Sequence, residues 1–386
     1  MLPIMKGLKL HTICFKVSGG EHMKVEILIY AYLLICLSMI IFNIACIQVF
    51  HHRNKKLSKR SHKFNECVTE QIYKSSVSEE HLKYIYHKLC RVSSLMAFDE
   101  TLEGLNTSKG DKIKVYIEAI SPVFIFLTFK YLKKNKLKAA YFPYIIKKYG
   151  IFQGNSINVI TNAMLRLVKD ESIYCRENAL QALYSIGDAD SVIKALKILD
   201  NSTCYHNQKL IADGLLTFSG DSTCLFKQLW QSFDEFSVTM QVAILDYFRF
   251  KSGEHCAQIL QLLSDKERNS EIIYSCIRYF GKYKYEPAYP VLIEFIEQES
   301  IEGWEYAAIA STALSNYPGE KTVELLKSKL YSGNWYVRFN ASKSLESFGL
   351  NYTELIDIFE GDDRYAEEML RYRLDQRRLY EKEECV

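Results

Sequence analysis

The chain of 386 residues holds eleven cysteines, yet no C-x-x-C pair occurs among them. Zinc sites and redox dithiols are built from closely spaced thiols, so neither is indicated, and the odd count argues against a closed disulfide framework. Cys175, Cys256 and Cys276 instead fall at helical positions, where a free thiol serves as a small apolar side chain. A reducing compartment fits this usage. Phosphate-cradling and catalytic signatures are missing too. There is no G-x-x-x-x-G-K-[ST], G-x-G-x-x-G, G-x-S-x-G or H-E-x-x-H. The nine histidines are either juxtamembrane (His51, His52, His62) or scattered singles such as His206 and His255. No catalytic, metal-binding or cofactor-binding residue is expected, and no cofactor.

Acid and base nearly balance overall, but not along the chain. Residues 1–150 carry 24 basic and 11 acidic side chains, whereas residues 151–386 carry 25 and 35. The basic part suits an anionic surface. The acidic part is poorly suited to a nucleic-acid backbone, which demands clustered Lys and Arg. With 48% hydrophobic and 25% charged residues, wholesale disorder is excluded.

Charge is absent altogether from residues 27–50, ILIYAYLLICLSMIIFNIACIQVF. At about 1.5 Å per residue these 24 residues make a helix of roughly 36 Å, enough to cross a ~30 Å hydrocarbon core. A cleaved signal peptide has a shorter apolar region and a small-residue cleavage site. This segment runs instead into Arg53, Lys55, Lys56, Lys59, Arg60 and Lys63. That asymmetry predicts a single-pass protein of the cell membrane with residues 51–386 in the cytoplasm, and makes those six cations candidates for lipid contact. The stretch before Met23, SGGEH, is compatible with a purine-rich run resembling a bacterial ribosome-binding site. Translation is therefore expected to start at Met23 rather than Met1; a native peptide covering Lys9–Lys16, found by mass spectrometry, would overturn that.

Beyond residue 172 a pattern recurs. Small or apolar residues at Ala179, Ala212, Ala243, Ile273, Ile309 and Ala341 are each followed four residues later by Leu183, Leu216, Tyr247, Ile277, Ala313 and Leu345. An i, i+4 pair returning every 30 to 36 residues is a helix showing one face to its neighbour, again and again. Breaks follow each (GDAD, GDST, KSGE, KYEP, PGEK, GLNY), then second apolar segments at 191–199, 224–230, 256–263, 289–296, 322–330 and 352–359. Gly187, Gly220 and Gly349 suit the left-handed residue that ends a helix, with Asp or Ser beside them to cap the next. The fold class expected is all-α, an α-solenoid of about six helical hairpins preceded by one transmembrane helix.

The stretches NWYVRFNASKSLESFG (334–349) and IYCRENALQALYSIG (173–187) resemble the first helix of the HEAT repeat, particularly the short form of phycobilisome-lyase-like proteins. The resemblance implies that Arg176 and Arg338, with Lys209 substituting, are structural positions alongside Ala179, Ala212, Ala341, Gly187, Gly220 and Gly349. Met240, Ser270 and Tyr306 depart from the basic position. HEAT hydroxylases that bind iron rely on His-Glu pairs, and no His here is followed by Glu. HEAT-like DNA glycosylases use a basic groove with aromatics; Trp230, Trp304, Trp335 and Tyr336 exist here, but the array is acidic. The whole chain is similar to single-span HEAT proteins of low-GC Gram-positive bacteria, which implies an association with envelope glycosyltransferases and signalling components.

The organisation expected is a leader at 1–26, the membrane segment at 27–50, and a basic juxtamembrane segment at 51–65. A helical linker follows at 66–110, degenerate leading repeats at 111–171, HEAT-like repeats at 172–361, and a charged capping helix at 362–386. A second span near Ile117–Phe129 is opposed by its short length, Pro122 and Glu118. The function expected is a non-enzymatic membrane scaffold or adaptor that binds a protein partner, with an envelope polysaccharide synthase or other glycosyltransferase as the implied partner and no nucleic acid. The alternatives are a lyase-type HEAT enzyme subunit and a nucleic-acid-binding HEAT protein.

Overall fold

The computed structural model describes residues 19–74, 76–133, 139–151, 157–299 and 303–383. The Lys9–Lys16 segment that bears on the start site lies outside them. Regular structure among the described residues is helical throughout. They divide into two units, one holding α1 and the first half of α3 through Ile113, the other holding α2 and everything from Lys114 onward.

In the first unit, α1 (Gly19–Ile72) is a single helix of 54 residues. No Gly or Pro interrupts it after its first two residues, so nothing in the sequence breaks it where apolar gives way to basic. The side chains of Ile27–Phe50 are nearly all exposed. Ser38 donates its hydroxyl to the Ile35 carbonyl at 2.7 Å, so that polar group is satisfied within the helix. This is the one described helix long and apolar enough to cross a membrane. Further along, Phe64 and Val68 are buried, and they share a face because they are four residues apart. That face meets α3 (Val92–Tyr131), where Phe64 packs edge-on against Phe98 and the Ser61 and Thr101 hydroxyls lie 3.1 Å apart.

In the second unit, α2 (Glu79–Leu89) is tied to α3 by His81 Nε2 and the Tyr116 hydroxyl at 2.8 Å, and by Tyr131 donating to the Leu89 carbonyl at 2.8 Å. Ile117, Ile120, Phe124 and Leu127 are buried in protein, which accounts for the apolar stretch around Pro122 without a second span. The helix α3 runs unbroken across the 110/111 boundary that the sequence pattern places there.

The hairpins follow in order. After α4 (Tyr141–Tyr149) and α5 (Ile157–Leu167) come first helices α6 (Ile173–Ile186), α8 (Gln208–Leu216), α10 (Val238–Lys251), α12 (Ser270–Phe280), α14 (Trp304–Ala313) and α16 (Trp335–Ser347). Their second helices are α7 (Ala189–Asp200), α9 (Ser222–Gln231), α11 (Cys256–Leu263), α13 (Tyr289–Glu297), α15 (Glu320–Lys329) and α17 (Ile356–Phe359). From α4 onward each first helix packs on the next, and α12, α14 and α16 also pack on the second helix just before them. The last hairpin departs from expectation. Asn351 Oδ1 accepts from the Thr353 and Glu354 amides, so the chain turns there and only Ile356–Phe359 is α-helical, not all of 352–359. Helix α18 (Arg364–Glu383) closes the end, burying Ala366, Leu370 and Leu374 against Leu326, Leu330, Ala341 and Leu345.

Four of the seams are stitched where a first helix runs out of internal partners for its carbonyls. Ser219 donates to the Ser185 carbonyl (2.7 Å), Lys282 to that of Arg249 (3.0 Å), Ser344 to that of Ser311 (2.8 Å), and Asn316 to that of Gly281. Donor and acceptor are 33 to 35 residues apart, one repeat on.

Gly187 is left-handed at φ 78° and ends α6, its amide returning to the Leu183 carbonyl, while Asp188 caps α7 by accepting from the Ser191 amide at 3.1 Å. Gly349 is also left-handed. Gly220 is not among the positive-φ glycines. Its requirement is contact: a Cβ there would lie 2.1 Å from the Gly187 carbonyl oxygen of the preceding repeat.

Cys175 and Cys276 are buried at 0% exposure, while Cys224 is exposed. Burial pushes the Cys175 thiol from its ordinary value of 9 up to about 12, with Asp170 adding to the rise and Arg176 opposing it. A thiol that ionises more readily unfolded than folded withdraws stability as pH rises above 9, and the loss continues until about 12. Urea unfolding midpoints taken across that window are expected to fall with pH. A thiol reagent at neutral pH is expected to modify Cys224 promptly, and Cys175 and Cys276 only after unfolding.

Candidate functional site

The C-terminal turns of three successive first helices come together along one side of the row. Arg249 and Phe250 close α10, Arg278 lies in the last turn of α12 with Gly281 and Lys282 just beyond it, and Thr312 and Ala313 end α14. With Ile309 and Asn340 they line an open groove of about 400 Å³. Cations favour helix C-termini because the exposed carbonyls form the negative end of the peptide dipole, and α10 and α12 both carry basic residues in their last turns.

The three cations are held differently. Arg249 donates through Nη2 to Asp246 Oδ1 at 2.8 Å, and its buried Nε has no partner. The Lys282 ammonium bonds the Arg249 carbonyl and lies 5.3 Å from the centre of the exposed Phe250 ring. Arg278 is exposed and makes no ion pair among the described residues. No acidic side chain lines the groove, and Asp246 neutralises one of the three charges at its edge. Asn340 donates to the Ala308 carbonyl at 2.8 Å and so fixes the far wall. Surplus positive charge, side-chain donors and an aromatic edge give the groove a chemistry complementary to an anion; its lining presents Thr312 as the only hydroxyl, with no base beside it.

A second cavity, about 250 Å³, lies among α11–α14 with Ile273, Val291, Phe295 and Tyr306 in its lining. The Lys266–Glu294 pair (2.6 Å) lies on its rim, and Lys266 holds the Glu294 carboxyl below its ordinary value. Arg268 also lines it, paired with Asp234 and Asp265, so both of its cations are matched by carboxylates.

The sequence-derived positions scatter by role. Ala179, Ala212 and Ala341 are buried in the helix row. Ile309 is half-exposed and lines the groove, while its neighbours Ala308 and Ala310 are buried. Arg176 is 3% exposed and donates to the carbonyls of Asp170 (3.0 Å), Glu171 (3.0 Å) and Tyr205 (2.7 Å), closing the loops before α6 and before α8. Arg176→Ala leaves those carbonyls short of partners and is expected to cost about 2 kcal/mol in urea unfolding, with Arg176→Lys failing to restore it. Lys209 does not substitute for Arg176. Its side chain is exposed with no hydrogen bond among the described residues. In the next repeat the loop-closing part is played by Gln241, buried and donating to the Phe233 and Phe236 carbonyls, both at 3.0 Å. Arg338 stacks over Tyr365 of α18 at 5.3 Å. Trp304 stacks on Tyr336 and Trp335 on Phe339, while Trp335 meets Tyr336 edge-on, and none of them lines the groove. Arg53, Lys55, Lys56, Lys59 and Lys63 are exposed on α1 and Arg60 is half-buried.

Arg249, Arg278, Lys282 and Asn340 are not singled out by periodicity. The legible signal was a basic residue at the end of successive first helices, beside the KSGE and KYEP breaks.

No family model and no curated protein matches the chain. Among solved structures it is similar to human deoxyhypusine hydroxylase in complex with glycerol, at 16% identity over 77% of this chain and 96% of that one, with a TM-score of 0.27. That protein is an enzyme by name, so the expectation of a non-enzymatic adaptor is withdrawn, while a likeness this distant lends this chain no activity of its own. A repeat array says how a surface is built and not whether a bound molecule is turned over. Among the described residues no group of three or more His, Cys, Asp and Glu side chains is placed to hold a metal ion.

Proposed function

We propose that the chain is an α-solenoid of about six HEAT-like hairpins, attached to a membrane by residues 27–50 with the hairpins on the cytoplasmic side. It binds an anionic ligand, bearing phosphate or carboxylate, in the groove of Arg249, Arg278 and Lys282. The observation that carries this reading is the convergence of three cations from two neighbouring repeats on one cavity whose lining contains no acid. A first-helix row with seam bonds at four of its steps supports the solenoid, and the exposed 24-residue uncharged stretch supports the membrane. The ligand in this reading is a substrate as readily as an effector, so turnover stays within it.

Calorimetric titration of the full chain in nanodiscs tests it, with pyrophosphate and citrate as probes. Saturable binding of either that weakens as salt is raised is the expected result. Heats no larger than those of the Arg278→Glu variant with both probes would reject the groove.

A further inference from the structure

Between the apolar stretch of α1 and the part that packs on α3 lies a run with six cations and, from His51 to Asn65, no acid. At 3.6 residues per turn, Arg53, Lys55, Lys56, Lys59, Arg60 and Lys63 fall within an arc of about 160°, while Leu57, Ser61, Phe64 and Val68 fall within a separate arc of about 60°. The second arc is the one that meets α3. The cations therefore lie on a side of the helix that α3 leaves open. They are not there to pair with acids of their own helix: the nearest, Glu66, lies 3.4 Å from His62.

Because α1 is unbroken, axial position can be read directly from residue number. Arg53, Lys55 and Lys56 stand about 5–9 Å beyond Phe50, and Lys63 about 20 Å beyond it. The polar layer on each side of a ~30 Å hydrocarbon core is roughly 5–8 Å deep. The first three cations fall in that layer when residues 27–50 fill the core. Helical side chains lean toward the N-terminus, so Lys59 and Arg60 reach back toward it on their flexible stems.

We infer that this open cationic face of α1 is a contact surface for the phosphates of anionic phospholipids, with Arg53, Lys55 and Lys56 carrying most of the contact. The inference rests on the membrane reading above. The occupant is set by charge complementarity and by continuity with the uncharged stretch Ile27–Phe50, nearly all of whose side chains are exposed. A basic residue near an anionic leaflet contributes about 1 kcal/mol, so three at the right depth give a large preference even after screening.

The test uses the full chain in mixed nanodiscs carrying spin-labelled phosphatidylglycerol or phosphatidylcholine, with the motionally restricted lipid fraction as readout. Wild type is expected to favour the anionic lipid by about fivefold or more, the equivalent of a single such contact. The Arg53→Gln, Lys55→Gln, Lys56→Gln triple variant is expected to fall close to parity, and a Lys59→Gln, Lys63→Gln variant to keep most of the preference. All these side chains are exposed, so loss of folding is not the expected cause of either change. Equal restriction of both lipids by an inserted wild-type chain would overturn the lipid contact and leave the membrane reading standing. An undiminished preference in the triple variant would overturn the assignment to these residues. Failure of the wild type to float with vesicles of either lipid would overturn the contact and the membrane reading together.

Discussion

Gly220→Ala is expected to lower the stability of the hairpin array by about 3 kcal/mol, a large fraction of what holds a typical domain together. The added methyl would lie 2.1 Å from the Gly187 carbonyl oxygen and 2.7 Å from the Phe218 ring. The first is backbone, and it is held in place by the left-handed turn at Gly187 and by the Ser219 bonds to the Tyr184 and Ser185 carbonyls. Two effects compete. Removing a glycine narrows the unfolded ensemble and stabilises by about 0.4–1 kcal/mol, whereas forcing an atom into a filled contact costs about 1–3 kcal/mol and more against backbone. The clash wins because neither side of the seam has a flexible end to swing away. Gly333→Ala is the matched control: its Cβ would meet nothing within 4 Å, so that variant is expected to be neutral or slightly more stable. Urea unfolding followed by circular dichroism separates the two, and equal midpoints for both variants would show that the Gly187–Gly220 approach is not a tight one.

Arg278→Glu is expected to weaken pyrophosphate binding by more than tenfold while leaving the unfolding midpoint nearly unchanged. Arg278 is exposed and makes no ion pair among the described residues, so reversing it removes no packing and breaks no bridge. It does place a carboxylate in the lining of the cationic groove that Lys282 and Arg249 share. Removal of one favourable contact and addition of one repulsive charge together account for more than 1.4 kcal/mol, the free energy of a tenfold change. Lys282 is the less clean site because its ammonium also bonds the Arg249 carbonyl, so changing it disturbs a seam as well as a charge. Binding by the wild type should decline steeply with salt, and the residual binding of the variant should be nearly insensitive to it.

The helical row was legible because a buried face repeats in the sequence with the period of the structure. Ala179 with Leu183, and Ala341 with Leu345, are fully buried pairs of this kind. The turn at Gly187 was legible for a local reason: a left-handed residue followed by a capping Asp needs only four or five residues to announce itself. Gly220 was misread for the converse reason. In sequence it looks like the same turn, but its lack of a side chain serves a contact with a residue 33 positions away, which no local pattern carries. Lys209 was misread because a basic residue at the periodic position does not ensure the bond; the loop-closing geometry of Arg176 recurs in Gln241, one place out of register with the departing Met240. The groove was out of reach for the same reason as Gly220. Its cations end helices some 30 residues apart and converge only when those helices lie side by side. The short α17 reflects the competition of Asn351 for the amides a helix would use.

The most direct test of a stacked helical row with an anion groove along its side is an experimental structure of the full chain in nanodiscs, determined in the presence of tungstate. The expected result is first helices packed in chain order, with tungstate density between Arg249, Arg278 and Lys282. First helices that do not pack on one another in sequence order, or tungstate ordered elsewhere with that groove empty, would contradict it.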